Sequence, residues 1–362
     1  MRRLWFCLLF FLASPALAQD TFEGVSRIVA IGDIHGDGDR LAELLRTAQL
    51  TDNQDNWTGG TAHLVLTGDF LDRGPQSRKV MDLLMSLEPQ AQRAGGMVHA
   101  LIGNHEAMNI VGDLRYVSNA DFESYRAVNS TELRDQAFGL LVKDMIARNA
   151  PPRNLNEFRK NFERDHPLGV VEQRIYFAPD GKYGQWLRRQ NAVIRINDVI
   201  FLHGGISAKY ETKSLEEMNR RIREELDDPA KRSAGMAEDP EGPLWYRGLV
   251  EASTTDKGLT AHVNRFLEAQ HAHHVVIGHT IVPAIIPRLG GKVIAIDVAL
   301  SRVYEGTSAF LEIEGSNYYV MHRGRRIQLP VDGSNILPYL QSASTADPRN
   351  ARLASMVKNG GR

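Results

Sequence analysis

The hydrophobic pattern opens with a β-branched run, Arg27-Ile28-Val29-Ala30-Ile31, that stops at Gly32-Asp33. A short apolar run bounded by turn residues predicts a strand buried on both faces. Apolar residues at 41, 44, 45 and 48 then follow the three-and-four spacing of a helix face over Arg40–Leu50. The alternation repeats. Ala62–Leu66 reads as a strand ending in Gly68-Asp69, and Val80, Leu83, Leu84 and Leu87 mark a helix that Pro89 is expected to close. Met97–Ile102 is a third strand, ending in Gly103-Asn104-His105-Glu106. Alternation of this kind predicts an α/β core.

Between His105 and His203 the texture changes. Phe138, Leu141, Val142, Met145 and Ile146 trace one helical stripe, Asn129 and Glu132 are spaced as an N-terminal capping pair, and Pro151-Pro152 ends the helix. A polar stretch continues to about Gln190, so residues of about 113–190 are expected to form a mostly helical insertion over the core, a candidate lid. Strands return at Ala192–Ile196 and Val199–Leu202. Ser214 and Glu217 open a helix with Leu215, Met218, Ile222 and Leu226 on one side. Further strands are expected at Val275–Ile277, Val293–Ile296, Ala309–Ile313 and Tyr318–Met321, and a polar, frayed tail over 341–362. No internal repeat is visible.

Composition narrows the class. The chain of 362 residues is 43% hydrophobic and 24% charged, which is too apolar for disorder. Lys and Arg number 43 against 44 Asp and Glu, a balance that argues against a nucleic-acid partner. Residues 1–18 combine Arg2-Arg3, an apolar run from Leu4 to Ala13 and Ala16-Leu17-Ala18, the pattern of a cleaved secretory signal peptide. The expectation is an exported, periplasmic or secreted protein with no stable membrane span after cleavage. The one cysteine, Cys7, lies in that segment, so neither a disulfide framework nor a thiolate nucleophile is available to the mature chain.

The candidate chemistry sits at the strand ends. Gly32-Asp33-Ile34-His35-Gly36-Asp37, Gly68-Asp69-Phe70-Leu71-Asp72-Arg73-Gly74, Gly103-Asn104-His105-Glu106, His203-Gly204-Gly205 and Gly278-His279-Thr280 each follow a short apolar run. In an α/β sheet, loops at the carboxyl ends of strands converge on one crevice. Collected there, these loops offer carboxylates, an amide and imidazoles but no sulfur, a donor set suited to Mn, Fe or Zn and large enough for two divalent ions. Two such ions roughly 3.5–4 Å apart would share a carboxylate, acidify a water and clamp a phosphoryl group in line. Asp69, central among the loops in chain order, is the natural bridge. Arg73 adds a planar, permanently charged fork for phosphate oxygens.

In their order and spacing the five motifs resemble the phosphoprotein phosphatase branch of the calcineurin-like metallophosphoesterases. Met108-Asn109-Ile110-Val111-Gly112-Asp113-Leu114-Arg115-Tyr116 and Trp186-Leu187-Arg188 are similar to the bacterial Shewanella-like protein phosphatases. The resemblance implies a β-sandwich flanked by helices over about 25–325. It implies Asp33, His35 and Asp69 on one metal, and Asp69, Asn104, His203 and His279 on the other, with Mn favoured. His105 would protonate the leaving oxygen, paired with Asp72. Arg73, Asn104 and Arg247 would hold phosphate. The eukaryotic Ala-Pro-Asn-Tyr loop is absent, and Asp297 to Tyr304 stands in its place.

Other polar residues read as structural: Asp37 and Glu106 as turn or supporting groups, His63, His99 and His322 within strands, His271, His273 and His274 as ordinary polar positions. Arg323 to Arg326 reads as a solvated hairpin tip. The expected activity is hydrolysis of phosphorylated protein or peptide side chains, on Ser, Thr or Tyr, by metal-activated water. Hydrolysis of a nucleotide or diadenosine polyphosphate at the same site is the alternative. A non-catalytic phospho-ligand module would require a missing ligand or acid, and none is missing.

Overall fold

The structure, a computed structural model, describes residues 19–361 except 233 and 305. The leader-like segment and Cys7 therefore lie outside the described residues. In chain order the strands are β1 (Thr21–Phe22), β2 (Arg27–Ile31), β3 (His63–Leu66), β4 (Met97–Ala100), β5 (Val193–Ile196) and β6 (Val199–Leu202). They continue with β7 (His274–Ile277), β8 (Ile286–Arg288), β9 (Val293–Ala295), β10 (Ala309–Glu314), β11 (Asn317–His322) and β12 (Arg325–Gln328). They make two six-stranded sheets, in the orders β1-β5-β6-β7-β9-β8 and β12-β11-β10-β2-β3-β4.

The sheets share one hydrophobic core, with helices outside. Strands β2, β3 and β4 are mutually parallel, with Ile31 beside Leu66 and Leu66 beside Ala100, and β6, β7 and β9 are parallel in the other sheet. This is why the apolar runs were continuous rather than alternating: β3 and β6 are buried along their whole length. The carboxyl ends of five of these parallel strands carry the five polar motifs. Asp37 caps the first helix, Gly38–Thr47, by accepting from the Arg40 N–H at 2.9 Å, while Leu41, Leu44 and Leu45 face the core.

Several expectations change. The helix Ser77–Arg93 runs through Pro89 instead of stopping there. Pro89 forfeits one backbone bond, but buried Leu84, Leu87 and Ala91 keep the helix on the core. Helices at Asn119–Glu123, Ser130–Ala147, Leu155–Asp165, Val170–Phe177 and Lys182–Arg189 fill the stretch between β4 and β5. In Ser130–Ala147 only Ser130 and Phe138 are buried, whereas Leu140 and Ile146 are exposed. The stripe does not pack on the core. Phe138 meets Phe158 and Phe162 of the next helix instead. Asn129 makes no side-chain cap; the Ser130 hydroxyl accepts from Ala127 and donates to Glu172.

The C-terminal stretch is not a frayed tail. Helices Leu337–Ala346 and Ala351–Lys358 bury Tyr339, Leu340, Ala343 and Leu353. Tyr339 Oη donates to the Ile285 carbonyl at 2.7 Å, and Asn350 caps the last helix while donating to the Pro283 carbonyl at 2.8 Å. Nor is Arg323 to Arg326 wholly a hairpin tip: Arg325 and Arg326 open β12, where Arg326 pairs with Glu312 and Glu314.

Candidate metal centre

Each motif is delivered by the end of a strand. Asp33 and His35 follow β2; Asp69, Asp72 and Arg73 follow β3; Asn104 and His105 start the helix Asn104–Val111 after β4; His203 follows β6 and His279 follows β7. Parallel pairing within each sheet brings these ends to one edge. The turns are tight enough that His35, Asp69, Asp72, Arg73 and His279 all adopt positive φ, from 43° to 67°. Such conformations cost non-glycine residues of order 1–3 kcal/mol each and persist only where neighbours over-determine them. Glu106 is one such neighbour. Its fully buried carboxylate accepts from the N–H groups of Asp69, Phe70, Leu71 and Gly103 at 2.8–3.1 Å.

Asp69 lies at the centre of the cluster. Its carboxylate approaches His203 Nε2 at 3.2 Å, His105 Nε2 at 3.7 Å and His35 Nε2 at 4.0 Å, and accepts from the His105 N–H at 3.0 Å. His203 Nε2 also lies 2.9 Å from Asn104 Oδ1 and 3.1 Å from His279 Nδ1. Donor atoms of Asp69, His35 and His105 fall within 4.8 Å of one another, and so do those of Asp69, His203 and His279. Asp33 joins through the backbone, its two oxygens accepting from the His279 N–H at 3.0 and 3.1 Å.

The donor set fits divalent cations. Each candidate imidazole uses one nitrogen on a carbonyl and aims the other inward: His35 Nδ1 at Leu71 O, His203 Nδ1 at Thr67 O and His279 Nε2 at Trp245 O, at 2.9–3.1 Å. Such contacts fix tautomer and ring orientation in metal-ligating histidines. A second sign is the space left by Gly278, where a Cβ would come 2.3 Å from Asp33 Oδ1.

Electrostatics agree. Burial, with Asp297 and Asp69 beside it, pushes the Asp33 carboxyl well above its ordinary value. Burial and Asp69 push Glu106 to about 7. Asp297, buried and facing Asp69, rises to about 6. Burial also acts on Asp69, but His203, His105 and His35 outweigh it and hold its carboxyl well below the usual range. Burial lowers His35 to about 3 and His279 to about 2, so both rings are neutral, as ligands must be. Crowded buried carboxylates beside neutral imidazoles form a basin that cations would stabilise.

Around it, His105 Nδ1 donates to Asp72 Oδ2 at 2.6 Å. Burial opposes protonation of His105, yet Asp69 and Asp72 raise its pKa overall. Asn109 Nδ2 donates to Asp72 Oδ1 at 2.7 Å, and Gln173 Nε2 donates to Asn109 at 2.8 Å. Arg73 Nη2 lies 3.3 Å from His105 Nε2, with its guanidinium over Tyr116 and Tyr304. Arg247 Nη1 donates to the His279 carbonyl at 2.7 Å, so it too borders the cluster.

The structure brings His35, Asp69, Asp72, Arg73, Asn104, His105, His203 and His279 together, whereas Asp33 and Arg247 border the cluster through the His279 backbone and Asp33 falls in neither group of converging donor atoms. Glu106 supports the ligand loops, as its sequence position suggests, whereas Asn109, Gln173, Asp297, Tyr116 and Tyr304 carry no site assignment from sequence. Asn109 had a signal, four residues past His105 on the same helix face, and Asp297 another, two residues past the end of β9. Gln173 had none, since only the tertiary fold brings its helix to Asn109. His273 pairs with Asp198 and His274 with the Gly291 carbonyl, both away from the centre.

The calcineurin-like phosphoesterase family pattern matches residues 26–283. Shewanella-like protein phosphatase 2 of Arabidopsis thaliana is 29% identical over 302 residues, 82% of this chain and 77% of its own. Shewanella-like protein phosphatase 1 of Plasmodium berghei is 25% identical over 270 residues, 73% of this chain and 64% of its own. The crystal structure of a cold-active protein-tyrosine phosphatase from a psychrophilic Shewanella species is 30% identical, with a TM-score of 0.65 over 86% of this chain and 82% of that one. The strand-end cluster and these likenesses agree: the chain belongs to the calcineurin-like phosphoesterases and is a phosphatase of that metal-dependent family.

Proposed function

We propose that the protein is a dinuclear phosphomonoesterase acting outside the cytoplasm on phosphorylated side chains of proteins or peptides, phosphotyrosine included. The observation that carries this reading is the shared position of Asp69, within ligand reach of His35 on one side and of His203 and His279 on the other. Asp33, His35 and Asp69 would hold one cation, and Asp69, Asn104, His203 and His279 the second, manganese being favoured among ions that suit oxygen and nitrogen donors. When bound, such a pair supplies Lewis acidity and lowers the pKa of water it holds.

The chain's own residues would do the rest. Arg73, Arg247 and Asn104 would grip the phosphoryl oxygens, as permanently charged forks and an amide donor. His105 lies close enough to Asp69 to be mistaken for a ligand, but its Nδ1 bond to Asp72 favours the role of proton donor. That bond favours the imidazolium form and aims Nε2 at the leaving oxygen. An alkoxide leaves poorly, so a positioned acid contributes about 10²–10⁴-fold.

The likeness to Shewanella-like protein phosphatases and to the Shewanella protein-tyrosine phosphatase supports a phosphoprotein substrate. The leader-like pattern of residues 1–18 supports export. No helix among the described residues is long and apolar enough to cross a membrane. The test is turnover by the purified, Mn-loaded chain of phosphoserine, phosphothreonine and phosphotyrosine peptides beside diadenosine tetraphosphate. Phosphate release from peptides is expected; turnover of the dinucleotide alone would refute the reading. Mass spectrometry of exported protein should find Gln19 at its start, and a retained Met1 would refute export by cleavage.

A further inference from the structure

We propose that an arginine-lined cavity beside the metal centre receives the carboxylates that flank the phosphorylated residue of an acidic phosphopeptide; this rests on the phosphomonoesterase reading above. The cavity measures about 690 Å³ and is lined by Arg40, Arg302, Arg323, Arg349 and Arg352. Tyr304 lines it too, and that ring lies 5.8 Å from His35 and 5.7 Å from the Arg73 guanidinium. The cavity thus begins where the proposed phosphate site ends.

Its positive charge is only partly matched from within. Asp347, its one lining carboxylate, accepts from Thr307 Oγ1 at 2.8 Å and faces Arg323 at 3.2 Å. Arg302 lies 3.5–3.9 Å from Asp37, Asp39 and Glu43, and Arg40 bonds Glu43 at 3.0 Å. The Nε of Arg40 is buried without a partner. The side chains of Arg349 and Arg352 are exposed and make no ion pair or hydrogen bond among the described residues. A guanidinium fork without a counter-charge suits a carboxylate or a phosphate, bound in two parallel hydrogen bonds.

This wall is built rather than incidental. Asn350, between the two arginines, donates to the Pro283 carbonyl and caps the last helix, which ties the backbone carrying Arg349 and Arg352 to the loop that precedes β8. The cavity is far larger than one phosphate, and Ile281 and Val298 give it apolar lining. An extended peptide with acidic side chains matches both features, whereas a bare polyphosphate uses only the charge.

Fluorescence anisotropy on the intact, metal-loaded protein tests this. The probes are labelled peptides with a non-hydrolysable phosphonate, flanked by glutamates in one and by glutamines in the other. Two exposed guanidinium–carboxylate pairs predict about tenfold tighter binding of the glutamate peptide. That gain should vanish in the double variant Arg349→Ala/Arg352→Ala and shrink at high salt. Equal affinity for the two peptides, or a glutamate preference that survives in the double variant, would overturn the proposal. So would a double variant that loses affinity for diadenosine tetraphosphate alone. Turnover of para-nitrophenyl phosphate, unchanged by the double substitution, separates the two levels: its absence in the wild type would sink the phosphatase reading itself.

Discussion

Adding one methyl group at Gly278 gives a sharp test of how the metal centre is assembled. Gly278 has no positive φ, so alanine can take its backbone conformation without strain. The new Cβ, however, would fall 2.3 Å from Asp33 Oδ1 and 2.9 Å from Thr67 Oγ1, where ordinary contact begins at 3.4 Å. The Asp33 carboxylate must therefore retreat by about 1 Å, at an overpacking cost of roughly 1–3 kcal/mol. Metal–ligand distances tolerate only about 0.2 Å. A displacement of about 1 Å at a reacting centre can cost roughly 10²-fold in rate. Gly278→Ala should thus stay folded by circular dichroism, lose most of one bound metal equivalent by elemental analysis, and turn over para-nitrophenyl phosphate about 10²-fold more slowly. Full metal content with kcat within twofold of wild type would refute Asp33 as a ligand.

The remaining expectations concern the groups around the centre. His105→Asn should slow phosphoserine peptides by about 10²–10⁴-fold but aryl phosphates far less, since phenolate leaves without a proton; equal losses would exclude His105 as the acid. Gln173→Leu removes the donor that fixes Asn109 and through it Asp72, so kcat on alkyl phosphates should fall with KM unchanged, and an unaltered kcat would break that chain. His99, buried against His63, has its pKa lowered to about 3 by burial, so its neutral form stabilises the fold above the unfolded value near 6.5. That stability is lost as pH falls below 6.5. In urea melts the wild type should lose about 1 kcal/mol more than His99→Phe between pH 7.5 and 5.5, and parallel losses would refute the burial account.

Much of this was legible because parallel strands buried on both faces leave an unmistakable trace. Ile28–Ile31, Leu64–Leu66 and Val199–Leu202 are apolar without alternation, and each is followed at once by its polar motif. The short edge strands β1, β8 and β12 left no such trace, since two to four residues carry too little periodicity and Arg325-Arg326 reads as surface. The stripe in Ser130–Ala147 misled because helical spacing does not say which neighbour covers it; Phe138 found Phe158 and Phe162, while Leu141 and Ile146 stayed exposed. At the site, side chains that end a strand were readable. Those that act across the fold were not: Gln173 reaches Asn109 over 64 residues of chain, and Tyr304 reaches His35 through the loop beyond β9. The carbonyls of Thr67, Leu71 and Trp245 that orient the imidazoles carry no side-chain signature at all.

The metal stoichiometry of the purified chain, set beside that of Asp69→Asn, bears most directly on the claim that one carboxylate joins two cation sites. The wild type should retain two divalent ions per chain by inductively coupled plasma mass spectrometry. Asp69→Asn should hold at most one and lose turnover of para-nitrophenyl phosphate. A wild type that binds only a single ion when saturated, or a variant that keeps both tightly, would contradict the account.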